Sequence, residues 1–265
     1  MLTLEPAGTD AFVAPTPADG PDRLFGGQVA GQSLRAATLT VDPDRSAHSL
    51  HAYFIRPGRP GVALQLDVDR TRDGRSFTTR RVTASQDGEP IFVLAASFHI
   101  SEPGEDWQDA GRPAVAGPDA TPAPDSPIAR FATMSPFELR PVGGDLIDGS
   151  PVLHPFWVRT RERLPDDPAL HTCVLAFISD MGVVGSARAP GASLAERFTG
   201  ASLDHAVWFH RPARADEWLL FSVEPMTNHG SRGLARGTMH TRDGALVASL
   251  AQEALLRRAG PTPLP

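Results

Sequence analysis

The chain is predicted to be an α+β protein built twice over, each half a helix followed by a meander of long antiparallel strands. Three observations predict it. A β-rich run closed by Arg-Pro occurs twice, once as Ser49-Leu50-His51-Ala52-Tyr53-Phe54-Ile55-Arg56-Pro57 and once as Asp204-His205-Ala206-Val207-Trp208-Phe209-His210-Arg211-Pro212. Proline ends each run because it has no N–H to give to a ladder. An Asp-Gly turn follows each at a nearly equal distance, 30 positions from Pro57 to Asp87 and 31 from Pro212 to Asp243. A glycine-bearing apolar segment precedes each, Phe25-Gly26-Gly27-Gln28-Val29 in one half and Asp180-Met181-Gly182-Val183-Val184 in the other. Three landmarks in one order at matched spacing imply a duplication of roughly a hundred residues, a domain-sized period.

The elements follow in order. Through Asp22 the chain carries four prolines and little periodicity, which predicts an irregular lead-in with one strand near Ala11 to Val13. From Gly26 apolar residues at Val29, Ala30, Leu34, Ala37 and Leu39 recur at three and four spacing, a helix that stops before Asp42-Pro43. Its small residues suggest close packing on a sheet. Strands are predicted over 48–56, 62–70, 76–85 and 91–100, joined by Pro57-Gly58, Asp73-Gly74 and Asp87-Gly88, all antiparallel turn signals. From Ser101 to Pro127 the composition turns to Pro, Gly, Ala and Asp without apolar periodicity, the pattern of a surface linker. Beyond it come strands over 137–142 and 156–162, and a second helix that starts at Pro165-Asp166-Asp167-Pro168 and runs through Ile178. Strand-like runs over 202–212, 217–225, 234–242 and 246–257 complete the second meander. The division expected is 1–105, a linker over 106–132, and 133–265.

Composition excludes several functions. All 25 basic residues are arginine, so no lysine amine exists for a Schiff base, a Walker phosphate loop or a protein kinase. A formal charge of −6 argues against nucleic acid as a partner. No apolar run approaches the roughly 20 residues that span a bilayer, and Met1 to Pro6 lacks the regions of a signal peptide. These features predict no membrane insertion and a cytoplasmic location. The single cysteine, Cys173, lies in an apolar run and reads as a core residue; it permits no internal disulfide and no cysteine-cluster metal site. His48 with His51, and His205 with His210, lack a third ligand at metal spacing, so no metal is expected. Gly191-Ala192-Ser193-Leu194-Ala195 lacks the second glycine of a nucleophile elbow. Asp204 beside His205 is no dyad, because neighbours on a strand point to opposite faces.

Four stretches together resemble the type II acyl-CoA thioesterases: Phe25 to Gln32, His48 to Gly58, Asp73 to Val82, and Asp204 to Pro212. The resemblance covers most of the chain apart from the linker and the tail. It implies a tandem double hotdog, each half a long helix wrapped by an antiparallel sheet, and hydrolysis of fatty acyl-CoA without a cofactor. It also implies a homodimer or larger homo-oligomer. The family's trio of Asp, Thr or Ser, and Gln falls on Asp180, Ser202 and Gln252, with Ser202 keeping the hydroxyl where many members carry Thr. A hotdog hydratase or dehydratase is the enzyme alternative, but it places a His five residues after its Asp, and here that position is Gly185. A non-catalytic acyl-CoA-binding protein is the other.

The residues support the trio on their own terms. Asp180 interrupts an apolar helix expected over 174–184, and Gln252 follows the apolar Leu246 to Ala251; isolated polar groups on apolar elements are informative exceptions. Each has a plain alternative: Asp180 as the cap of a break before Gly182, Gln252 as a solvent-facing strand position. Aligning the halves on Arg-Pro sets Ser202 opposite Ala47, Asp180 opposite Phe25 and, with one gap, Gln252 opposite Ser97, so the first copy lacks all three groups. Thioester hydrolysis needs an aligned water, a base and donors for the oxyanion. Backbone N–H groups of Gly26 and Gly27, or of Met181 and Gly182, are candidates for the last, with close helix packing as the alternative. Arg56, Arg211 and Arg232 are candidates for the CoA phosphates, though most arginines are merely solvated.

Overall fold

The structure is a computed structural model that describes residues 1–18, 22–121, 136–142, 146–147, 150–151, 154–190 and 198–258. In chain order the elements begin with β1 (Glu5–Pro6), β2 (Ala11–Ala14), α1 (Gly26–Thr38), β3 (Arg45–Phe54), β4 (Leu64–Asp73), β5 (Phe77–Gln86) and β6 (Glu89–Ile100). There follow β7 (Phe137–Pro141), β8 (Leu146–Ile147), β9 (Ser150–Pro151), β10 (Phe156–Thr160), α2 (Pro168–Ile178) and α3 (Val183–Ser186). The last are β11 (Phe198–Ser202), β12 (Asp204–Phe209), β13 (Leu219–His229), β14 (Arg232–Thr241) and β15 (Leu246–Arg258). The α+β class and both meanders are as the sequence predicts.

The chain packs as two compact units whose limits differ from the expected 1–105 and 133–265. The first takes Met1–Gln108 together with Pro165–Met181 and Asp204–Ala213; the second takes the described residues of 109–164, 182–203 and 214–258. The reason lies on α1. A methyl group at Gly27 would stand 2.2 Å from the carbonyl oxygen of Phe177, and one at Gly31 would stand 3.0 Å from that of Cys173. The small residues therefore admit another helix, α2, and not only a sheet. α2 begins where Asp167 accepts from the N–H groups of Ala169 and Leu170 at 3.0 and 3.2 Å, with Pro168 in the first turn. Arg35 of α1 reaches Asp167 at 3.4 Å, so the two helices are tied along their length.

In the first unit the sheet order is β1-β2-β4-β5-β6-β3-β12, antiparallel at every pairing. Alternation puts Leu50, Leu64, Leu66, Val82, Leu94 and Phe98 inside. On the same inward face of β5 lies Arg80, 1% exposed. Its guanidinium donates to Thr40 Oγ1 and O, just past the end of α1, and to Asp73 Oδ1 at 2.6 Å. That contact holds the Asp73 carboxyl below the usual range, and the cation suits a helix C-terminus. Cys173 is fully buried, and burial pushes its thiol up to about 12, so it is the inert core residue expected.

The second unit orders its strands β7-β10-β13-β14-β15-β11, again antiparallel. β13 continues past Pro225, where the sequence suggested a stop: the register shifts between Pro225 and Thr227, a bulge that accommodates the missing N–H. Residues 109–121 of the expected linker are docked rather than free. Trp157 Nε1 donates to Ala116 O at 2.8 Å, His240 Nε2 to Ala110 O at 3.1 Å, and Arg112 lies over the Trp157 ring. The rest of that expected linker, 122–132, lies outside the described residues.

Packing at Gly27 is tighter than overpacked cores usually tolerate, so Gly27→Ala is expected to destabilise the protein by about 1–3 kcal/mol. Gly31→Ala is expected to be near neutral, because the gain of about 1 kcal/mol in helix propensity offsets its milder crowding. Denaturant midpoints of the two variants check that order.

Candidate active site

Asp180 sits beyond the end of α2, not inside a continuous helix as expected. Ser179 closes the helix with its N–H on Leu175 O, Met181 donates to Ile178 O at 2.9 Å, and Gly182 takes a φ of +74°. The break before Gly182 is therefore real, and glycine is what permits it. Asp180 is only 6% exposed. Its Oδ2 lies against Gly26, the first residue of α1, where an added methyl would stand 2.7 Å from that oxygen and 2.6 Å from Phe54 Cε1. A carboxylate at the C-terminal end of one helix is thus set on the N-terminal end of another, where the backbone dipole favours negative charge. Phe54 packs on Phe92, and Phe25 on Phe177, each with ring centroids 5.1 Å apart, so the acid has aromatic surroundings.

Ser202 and Gln252 belong to the second unit and touch. Gln252 is fully buried in β15, and its Nε2 donates to Ser202 Oγ at 2.9 Å. Pairing of β11 with β15 sets Ser202 opposite Ala254, two residues along, which gives both side chains the same face. The Oε1 of Gln252 is buried and accepts from none of the described residues. A buried acceptor left open costs roughly 1–3 kcal/mol, so its place calls for a donor.

The other sequence candidates fare differently. The N–H of Met181 is spent on Ile178 O, which removes it as an oxyanion donor. Gly182 serves the turn. Gly26 and Gly27 open α1, where first-turn N–H groups have no acceptor within the helix. Each candidate arginine already meets a carboxylate: Arg56 with Glu89 at 3.1 Å, Arg211 with Asp106, and Arg232 with Glu253 at 2.8 Å. His48 bonds Ser97 at 2.8 Å and His51 packs on Trp208, both ordinary strand roles. Among the described residues no three His, Cys, Asp or Glu side chains gather as a metal site, and no helix is long and apolar enough to cross a membrane. The incomplete elbow at 191–195 lies outside the described residues. Sequence reasoning missed Phe54 beside the acid and gave no partner to His205, which bonds Ser179 at 2.7 Å; strand alternation was the available signal for both.

Both halves of the chain are similar to known proteins. Residues 128–255 match a family described as acyl-CoA thioesterase, and residues 14–99 match one described as acyl-CoA thioesterase N-terminal domain. The chain is 36% identical to human acyl-coenzyme A thioesterase 8 over 279 residues, covering 97% of this chain and 88% of that protein. It resembles the crystal structure of an acyl-CoA thioesterase II, TesB2, from Mycobacterium marinum at 42% identity and a TM-score of 0.83, with 98% of each chain covered. A protein from Alicyclobacillus acidocaldarius described as having a hot dog fold shares only 21% identity yet superposes with a TM-score of 0.79 over 98% of this chain and 97% of its own, which speaks for the fold alone. With both halves matched and 36% identity to a thioesterase across 97% of its length, the chain belongs to the acyl-CoA thioesterase family, a tandem hotdog hydrolase of acyl-CoA thioesters.

Proposed function

We propose that the protein hydrolyses fatty acyl-CoA by Asp180-assisted attack of a water that Ser202 and Gln252 hold. The observation that carries the reading is the open Oε1 of Gln252, buried beside the hydroxyl of Ser202. A water can donate one proton to Oε1 and the other to the Asp180 carboxylate while accepting from the Ser202 hydroxyl. Its remaining lone pair then faces the thioester carbonyl carbon. As the C–O bond forms, Asp180 takes the proton and the carbonyl oxygen becomes an oxyanion. The N–H groups of Gly26 and Gly27 at the start of α1 are its donors in this reading. Collapse of the intermediate breaks the C–S bond, and the departing thiolate takes the proton back from Asp180. The products are the free acid and CoA.

Asp180→Asn keeps the shape of the side chain and removes its basicity, so turnover of a CoA thioester is expected to fall by at least about 100-fold. Gln252→Ala and Ser202→Ala are expected to cost roughly 10- to 100-fold in kcat. Release of free thiol followed with a chromogenic reagent measures all three, and near wild-type turnover in Asp180→Asn would remove the acid from the mechanism. The same assay, coupled to detection of water addition to an enoyl-CoA, separates hydrolysis from hydration and from binding without turnover. Graded acyl lengths define the substrate range.

Gly26→Ala is expected to abolish turnover while leaving most of the fold intact, because the methyl would displace both the Asp180 carboxylate and the Phe54 ring. Circular dichroism alongside the thiol assay checks both halves of that statement. A homodimer or larger assembly in the cytoplasm completes the reading. It is supported by the exposed apolar side chains Tyr53 and Ile55 at the end of β3, and a solution mass of at least twice 28.3 kDa is expected by light scattering.

A further inference from the structure

His205 has no task in the mechanism above, yet it is a titratable group buried to 1% exposure on β12. Its Nε2 lies 2.7 Å from the hydroxyl of Ser179, which is itself fully buried and immediately precedes Asp180. The protons of this contact can be counted. Ser179 Oγ has one proton and donates it to Ala176 O at 2.8 Å, so the imidazole Nε2–H must donate to the hydroxyl oxygen. Capping α2 requires none of this, because the serine satisfies its helix through Ala176 alone.

The ring adds a tie to the sheet. β12 pairs with β3 so that His205 stands opposite Ala52, two residues from Phe54, the side chain that shares Gly26 with Asp180. On its other side Asp180 has Met181 in a turn and a glycine with left-handed backbone, neither of which fixes the turn through a polar side chain. We infer that His205 is a positioning residue for Asp180, acting through the Ser179 hydroxyl to hold the acid's turn in register with β3 and the start of α1. The inference rests on the reading of Asp180 as the base.

The test measures kcat, KM and thermal midpoint toward one CoA thioester for Asp180→Asn, Ser179→Ala, His205→Ala, His205→Gln, His205→Asn and the double variant Ser179→Ala/His205→Ala. Ser179→Ala and His205→Ala are each expected to lower kcat about 10- to 100-fold, the scale of a small misplacement of a reacting group. KM is expected to stay within about twofold, since no substrate contact is removed. The double variant is expected to be no slower than the slower single one, because both break the same link. Glutamine, whose amide nitrogen reaches about as far from the backbone as Nε2, is expected to recover most of kcat; asparagine is too short and is not. Should His205→Ala fail to fold, Ser179→Ala and the contrast of glutamine with asparagine decide. Wild-type kcat in Ser179→Ala, or equal kcat for the two amides, alongside an inactive Asp180→Asn, overturns the positioning role and leaves the base in place. An active Asp180→Asn overturns both.

Discussion

The contact on which the site depends is that of the Asp180 carboxylate with the first residue of α1. Left at the C-terminal end of α2, a buried carboxylate would face the negative end of a helix dipole. The opposing terminus at Gly26 reverses that sign. In a partly buried geometry a helix end is worth up to ~2 kcal/mol, whereas taking an ion out of water costs several kcal/mol. The terminus therefore offsets part of the cost of burying a carboxylate there.

Getting the carboxylate there requires two helices to approach more closely than ordinary side chains allow. Gly27 and Gly31 provide the approach by placing backbone against backbone, and Gly26, one residue earlier, leaves room for the carboxylate itself. The three glycines thus divide two tasks over about one turn and a half of helix. The consequence is topological: residues 165–181 come from the second half of the sequence but pack with the first.

That consequence marks the limit of what the residues disclose. Strands were legible because alternation and Asp-Gly turns are local signals; the run expected over 91–100 is β6 over Glu89–Ile100, and that expected over 234–242 is β14 over Arg232–Thr241. The partner of a glycine face is not local, and a strip of small residues looks the same whether a sheet or a helix covers it. The docking of 109–121 was hidden for a related reason. Its anchors are the carbonyls of Ala110 and Ala116, and every residue has a carbonyl. In the site, Ser202 was reached through the family resemblance, whereas Asp180 and Gln252 were visible as polar exceptions on apolar elements. The loss of Met181 as a donor was not, because it depends on how tightly the chain turns after Ile178.

The duplicated halves differ at the positions of the Ser202–Gln252 pair. Counted from each Asp-Gly turn without a gap, the buried alternation of β6 matches that of β15 and sets Gln252 opposite the buried Ala96, not opposite Ser97 as the one-gap alignment expected; Ser97 lies on the other face of β6, where its hydroxyl meets His48 Nε2 at 2.8 Å. Where the second half has Ser202, the first has Ala47, which offers no polar group at all. Gln252 has the longer side chain and is buried to completion, so one end of its amide reaches Ser202 while the other meets no described residue. A polar pair that satisfies itself stabilises a strand and asks nothing of a ligand. One that leaves a buried acceptor open is costly until a donor arrives, and a water or substrate group that fills it is bound and oriented by the same contact. Of the two halves, the first has alanine at both positions and the second a polar pair in which Gln252 is buried, and the valence that pair leaves open is the one the proposed water fills.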